Sequence, residues 1–249
     1  MIRKTLSLLC AVMLLGVMCG CKNNPKFTVD EILEYMNEKY DEEFTYIRPA
    51  DIYQPTSDSF EIFVASDKYP DEEIFAKCLF NTETGEKRFC DNYVSYIYED
   101  EVRDLLTELT QEVYPDAKIR YTALYGTSSD SGQDVPSLEQ YLSRTSSSID
   151  YMIMLPDEYD ETLYKEEMNA LIEKLEEKKI VCGVTVVYSN DRTQYDSFVT
   201  NERPNFEHLT YKLRGFIGIG ENFEIEFEEW RWLIISIFSS RGGYYPPAK

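Results

Sequence analysis

Positive charge is scarce in this chain: 25 Lys and Arg stand against 46 Asp and Glu, a formal net charge of -21 over 249 residues. A nucleic-acid-binding surface needs a basic footprint to neutralise phosphates, so that class is excluded. A polybasic helix lying on an anionic membrane is excluded for the same reason. Histidine is almost absent, with one residue, His208. A His-based zinc site or catalytic relay therefore has too few parts. His208 itself sits in a strand-like run, Phe206-Glu-His-Leu-Thr-Tyr211, with no local nucleophile or orienting group beside it. Glycine is sparse at 11 residues, and its one cluster is Gly215-Phe-Ile-Gly218-Ile-Gly220. A strand pattern follows that cluster where a dinucleotide or phosphate site would need a helix N-terminus, so it reads as a turn or bulged strand. There is no G-x-S-x-G, no H-E-x-x-H and no heptad run. Disorder is excluded by what is plentiful, 43% hydrophobic and 14% aromatic residues.

Long apolar runs are also missing, apart from the start. Residues 1–21 read MIRKTLSLLCAVMLLGVMCGC. Arg3 and Lys4 form a short positive segment, and residues 6–17 are apolar but too short for a bilayer core, which takes about 20 residues. Met18-Cys19-Gly20-Cys21 follows. This resembles the lipobox of bacterial lipoproteins, in which a small residue precedes a Cys that becomes the lipidated mature N-terminus. Gly20 fits that pattern; Met18 and Cys19 depart from its usual Leu and small residue. An ordinary secretory signal cut near Gly20, or an uncleaved anchor, is the alternative. The resemblance implies export, removal of residues 1–20 as a signal peptide, a lipid on Cys21 as the membrane partner, and a location on the extracytoplasmic face of the cell membrane. In signal and general style the chain is similar to the many small uncharacterised surface lipoproteins of Gram-positive bacteria. Residues 1–20 carry Arg3 and Lys4 and no acid, so the mature chain would hold 23 basic and 46 acidic residues, a charge of -23 over 229.

Past a polar tether at 21–27, Thr28-Val-Asp-Glu31 is a capping box, with Phe27 and Ile32 at the staple positions. Val29, Ile32, Leu33, Met36 and Tyr40 share one face, so a helix is expected over 29–40. Strands are expected at 43–49, 60–66, 74–81, 87–91 and 118–124, and a helix over 100–113. The acids 99–101 suit the start of that helix electrostatically. After the loop-rich 126–137 come a short helical piece at 138–142, a strand at 149–155, a helix over 161–178 and a strand at 181–188. That succession allows a βαβ crossover or an antiparallel arrangement. Strands are then expected at 206–213, 223–229 and 230–238. Phe223, Ile225 and Phe227 alternate with Glu224, Glu226 and Glu228, which reads as one buried and one wet face. Residues 230–238 read as a central buried strand.

The fold class expected is α+β: antiparallel sheets with three main helices packed on them. Two subdomains, 28–125 and 149–240, would be joined by the Ser-rich connection 126–148 and followed by a tail at 241–249. One domain with a long surface loop fits the same pattern.

Three cysteines remain beyond Cys21. If Thr82 pairs with Glu86 in the hairpin, Cys78 faces Cys90 across neighbouring strands, within disulfide reach. A one-residue slip breaks this, and two buried thiols is the competing reading. Cys182 lies in an apolar strand and reads as packing. The acidic clusters at 41–43, 71–73, 157–158 and 160–161 read as solvated faces, and no catalytic pair stands out among them. Asp130 to Asp134 lacks the spacing of a calcium loop, so no metal or other cofactor is expected. Tyr93, Tyr96 and Tyr98 could stack on sugars or grip a peptide, or simply cover a sheet.

The function these features support is a lipid-anchored, non-enzymatic binding or interaction module at the cell envelope, its partner a protein or an envelope component. A carboxylate-dependent envelope hydrolase, and an acidic inhibitor or immunity-type protein for a basic partner, are the alternatives.

Overall fold

A computed structural model of the chain describes residues 28–50, 59–121, 134–144, 149–198 and 209–232. The expected signal peptide, tether and tail, His208 and residues 126–133 of the expected loop lie outside these residues. The fold is α+β, with two sheets.

The chain divides after Cys90 into two compact units. In the first, helix α1 (Val29–Tyr40) precedes strands β1 (Phe44–Pro49), β2 (Ser59–Ser66), β3 (Tyr69–Phe80) and β4 (Lys87–Asp91), which lie in that order in one sheet. The expected capping box forms: Glu31 N–H donates to Thr28 Oγ1 at 3.2 Å and Thr28 N–H donates to Glu31 Oε2 at 3.0 Å. Asp41, in the left-handed conformation with φ 49°, ends the helix. Ile32 and Met36 are its buried positions, and it packs on β1 and β3. Tyr35 stacks on Phe89 with ring centroids 5.1 Å apart.

The second unit begins with short helix α2 (Tyr93–Ile97) and α3 (Glu99–Gln111). Strand β5 (Lys118–Arg120), helix α4 (Leu138–Leu142), strand β6 (Ile149–Leu155), helix α5 (Tyr164–Glu177) and strand β7 (Cys182–Ser189) follow. Helix α6 (Arg192–Asp196) and strands β8 (Tyr211–Ile219) and β9 (Ile225–Trp232) complete it. The sheet order is β5-β6-β7-β8-β9, so β7 is the middle strand. β6 and β7 are parallel, from Ile149 opposite Cys182 to Leu155 opposite Tyr188, with α5 as the crossover. The other three pairings are antiparallel. The βαβ alternative is the one realised.

Four expectations are corrected. The boundary falls at Cys90 and not in the Ser-rich connection 126–148, because β5 is an edge strand of the second sheet, paired with β6. Residues 91–121 therefore belong with the second unit. The expected break at 229–230 does not exist: β9 runs through it, opposite β8 from Leu213–Trp232 to Ile219–Ile225. Among the described residues β9 is the last strand of its sheet, not a central one, and Trp232 is 49% exposed. The alternation at Ile225 and Phe227 does not mark a buried face either; they are 42% and 48% exposed. Alternation distinguishes the two faces of a strand but cannot say which is covered. Gly215 and Gly218 lie inside β8, with a register shift beside Gly218, as the bulged-strand reading expects.

Candidate functional site

The central strands of the second sheet are covered on both faces nearly everywhere. One face carries Ile149, Tyr151, Ile153 and Leu155 of β6, with Val184, Val186 and Tyr188 of β7, all buried. Helix α5 lies on this face, since Tyr188 donates to Glu167 Oε2 at 2.9 Å. The interior here is polar at its centre. The Tyr114 hydroxyl approaches Tyr188, and the Thr110 hydroxyl of α3 approaches Tyr151, but neither contact reaches hydrogen-bond geometry. Burial pushes the Tyr188 and Tyr151 phenols well above their ordinary value. Burial also raises the Glu167 carboxyl, against the opposing pull of the Tyr188 hydrogen bond. These groups are held neutral or paired beneath helices, a packing arrangement rather than an accessible site.

The opposite face differs from one end of the strands to the other. At one end Met152, Met154 and Val187 form a cluster with Tyr195 of α6 and with Phe198, closed by Leu209 and Tyr211. Tyr195 Oη donates to the Asp116 carbonyl at 2.6 Å, and Lys118 Nζ donates to the Tyr195 carbonyl at 2.7 Å, fixing α6 in place. At the other end, among the described residues, the cover stops. Along β6 and β7 every residue is buried except Asp150 and Gly183. These two are directly paired, and Gly183 in turn faces Gly218 of β8. Two neighbouring strands thus lack side chains at one spot over the middle of the sheet. The result is a depression of about 240 Å³, walled by Phe216 and rimmed by Asp150 and Glu226.

The glycines here make room for particular neighbours. A Cβ at Gly183 would collide with Asp150 Oδ1, and one at Gly220 would collide with Glu226 Oε1. Phe216 is 38% exposed, and its ring lies 5.6 Å from that of Phe227. Burial alone, with no opposing partner, raises the Asp150 carboxyl above its ordinary value. An open, partly desolvated carboxylate beside an aromatic ring can accept hydrogen bonds, attract a cation or serve as an acid.

Other candidate residues are accounted for by local structure. The hairpin closes at Asn81 and Glu86, with Asn81 N–H donating to Glu86 O at 2.9 Å, and not at Thr82. A ladder counted on from that pair sets Cys78 opposite Phe89. The Cys78 thiol accordingly feels Lys87 and Glu31, which lie on the α1 side with Phe89. Cys90 also raises the Cys78 thiol, so the two thiols are electrostatic neighbours. Cys78, Cys90 and Cys182 are carried as buried thiols. Burial pushes the Cys78 thiol up to about 11 and Cys182 higher still, the opposite of an activated nucleophile. Tyr93 and Tyr96 are buried, and Tyr98 donates to the Pro136 carbonyl at 2.8 Å, so this trio builds the interior of its unit. Among the acidic clusters, Glu42 pairs with Lys68, Glu73 with Arg48, Glu158 with Arg192, and Glu161 with Lys212. Among the described residues no group of three or more His, Cys, Asp or Glu could hold a metal ion. Asp150 and Gly183 were missed by sequence reading. The available signal was an acid in an apolar strand, Ile149-Asp150-Tyr151, and a glycine in another, Cys182-Gly183-Val184.

Comparison with protein-family models gives no match, and neither does comparison with curated proteins. Among solved structures, the crystal structure of a DUF5037 family protein from Ruminococcus gnavus is similar over 80% of this chain and 94% of that chain, with 13% identity and a TM-score of 0.36.

Proposed function

We propose that the chain is a lipid-anchored extracytoplasmic protein, attached through Cys21, whose folded part acts as a binding module at the cell envelope. The observation that carries the reading is the apolar segment ending in Met18-Cys19-Gly20-Cys21. A single acyl chain binds a bilayer only marginally, whereas the two chains of a diacylated Cys anchor firmly. The strongly acidic mature chain would be repelled by an anionic membrane, so a lipid is the natural means of attachment. The uncovered depression over β7 offers such a module a place to bind. Mass spectrometry of the membrane fraction tests the anchor: a mature N-terminus at diacylated Cys21 is expected, and Cys21→Ala should abolish both lipid and retention. A mature chain cut elsewhere and carrying no lipid would refute it.

One observation favours a second reading. Asp150 and Glu226 rim the same depression, and burial raises the Asp150 carboxyl, the environment a carboxylate-dependent hydrolase needs for its acid. Hydrolysis of peptidoglycan or a model glycoside by the purified chain, lost in Asp150→Asn, would put this reading first.

A further inference from the structure

We propose that the depression over β7 is a pocket for an organic cation, a primary ammonium or guanidinium group carried on a short alkyl stem. The proposal specifies the ligand class of the binding module above and is independent of the anchor. Four features of the pocket carry it. Its floor is the paired glycines Gly183 and Gly218, which put no side chain of their own into the pocket. Its wall is the Phe216 ring, an apolar surface for an alkyl stem and a kind of ring that attracts cations. Its rim holds two carboxylates, Asp150 and Glu226, each seated over a glycine that a side chain would displace. Among the described residues no Lys or Arg lines it. The arginines that share this face of β8 and β9 are engaged elsewhere: Arg214 lies over the Tyr211 ring at 5.7 Å, and Arg231 donates to Glu229 at 2.7 Å.

The choice of charge follows from desolvation. A carboxylate taken partly out of water without a donor is an unfavourable arrangement, and a bound cation would relieve it. An anionic ligand would face two acids and no base. A neutral apolar ligand would leave Asp150 uncompensated. The volume, about 240 Å³, suits a stem of several carbons with its charged head rather than a bare metal ion.

The test uses the full chain in detergent, titrated calorimetrically with pentylamine, pentanol and pentanoate, and with a Gly-Lys-Gly peptide. Pentylamine should bind and pentanol should not. Asp150→Asn should weaken the amine about tenfold or more, as expected for losing a charge-assisted hydrogen bond. Phe216→Ala should weaken it independently of charge, and Gly183→Ala should do so by pushing Asp150 aside. A peptide that binds more tightly than pentylamine would identify the side chain of a partner protein as the source of the cation. The reverse order would identify a free amine. Equal binding of pentanol and pentylamine, or full affinity in folded Asp150→Asn, would overturn the proposal. So would binding of none of the probes. Binding of pentanoate alone would overturn the cation assignment yet keep the binding module, and Cys21 acylation is judged separately.

Discussion

The two ends of one sheet face, a few residues apart on the same strands, behave oppositely. At the α6 end Met152, Met154 and Val187 are sealed under Tyr195 and Phe198. At the other end the same two strands present Asp150 and Gly183, open to solvent. One end has apolar side chains and a covering helix. The other has an acid, facing glycines and, among the described residues, no cover. A sheet tolerates such a gap because its ladder hydrogen bonds are independent of what its faces carry. The gap therefore costs little in the backbone and leaves a recess between packed strands.

The contrast can be broken first at its sealed end. Met154→Ala, at a fully buried site, should cost about 2–5 kcal/mol in denaturant unfolding, since it leaves a cavity the cluster can only partly close. A loss below about 1 kcal/mol would mean that α6 is a loose cover. The next largest effect is expected at Gly215, a glycine of β8 used for packing and not for the recess. A Cβ there would meet Trp230 ring carbons at 2.5–2.7 Å, so Gly215→Ala should cost about 1–3 kcal/mol. Gly183→Ala sharpens the comparison. Its Cβ would collide with the movable end of Asp150 and otherwise make an ordinary 3.4 Å contact with the Phe216 ring, so stability should change by less than about 1 kcal/mol while the recess is altered. On the covered face, Tyr188→Phe should cost about 1 kcal/mol, because Glu167 loses its donor.

The smallest effect concerns pH. The folded Asp150 carboxyl titrates above its ordinary value of 3.8 because burial penalises the charge. Its protonated form therefore favours folding: that contribution is full below the unfolded value and is lost as pH rises through the folded one. Asp150→Asn should raise the melting temperature slightly near neutral pH, and the gain should disappear as pH falls below about 4. A gain that persisted at low pH would place the cause outside this ionisation.

Much of the local structure was legible in the sequence, because local signals are short-range. Thr28 and Glu31 announce α1, and the stripes through Leu106 and Leu109, and through Met168, Leu171 and Leu175, announce α3 and α5. The hairpin turn was legible, but its closing pair was displaced by one residue, from Thr82 to Asn81. Strand neighbours were not legible. That Lys118–Arg120 pairs with β6, and so moves the unit boundary to Cys90, depends on contacts between residues some 30 positions apart, which no window of sequence contains.

The candidate site divides in the same way. By itself the sequence determined the acidic excess, the lipobox-like start and an α+β succession of helices and strands, since charge, apolar runs and periodicity are properties of the chain alone. Only the tertiary structure decided that Asp150, Gly183, Gly218 and Phe216 share one patch. It did so by setting β6 parallel to β7, and β7 antiparallel to β8, in a particular register. Three separate segments meet there, and what they form depends on which strand lies beside which and on where the covering helix ends.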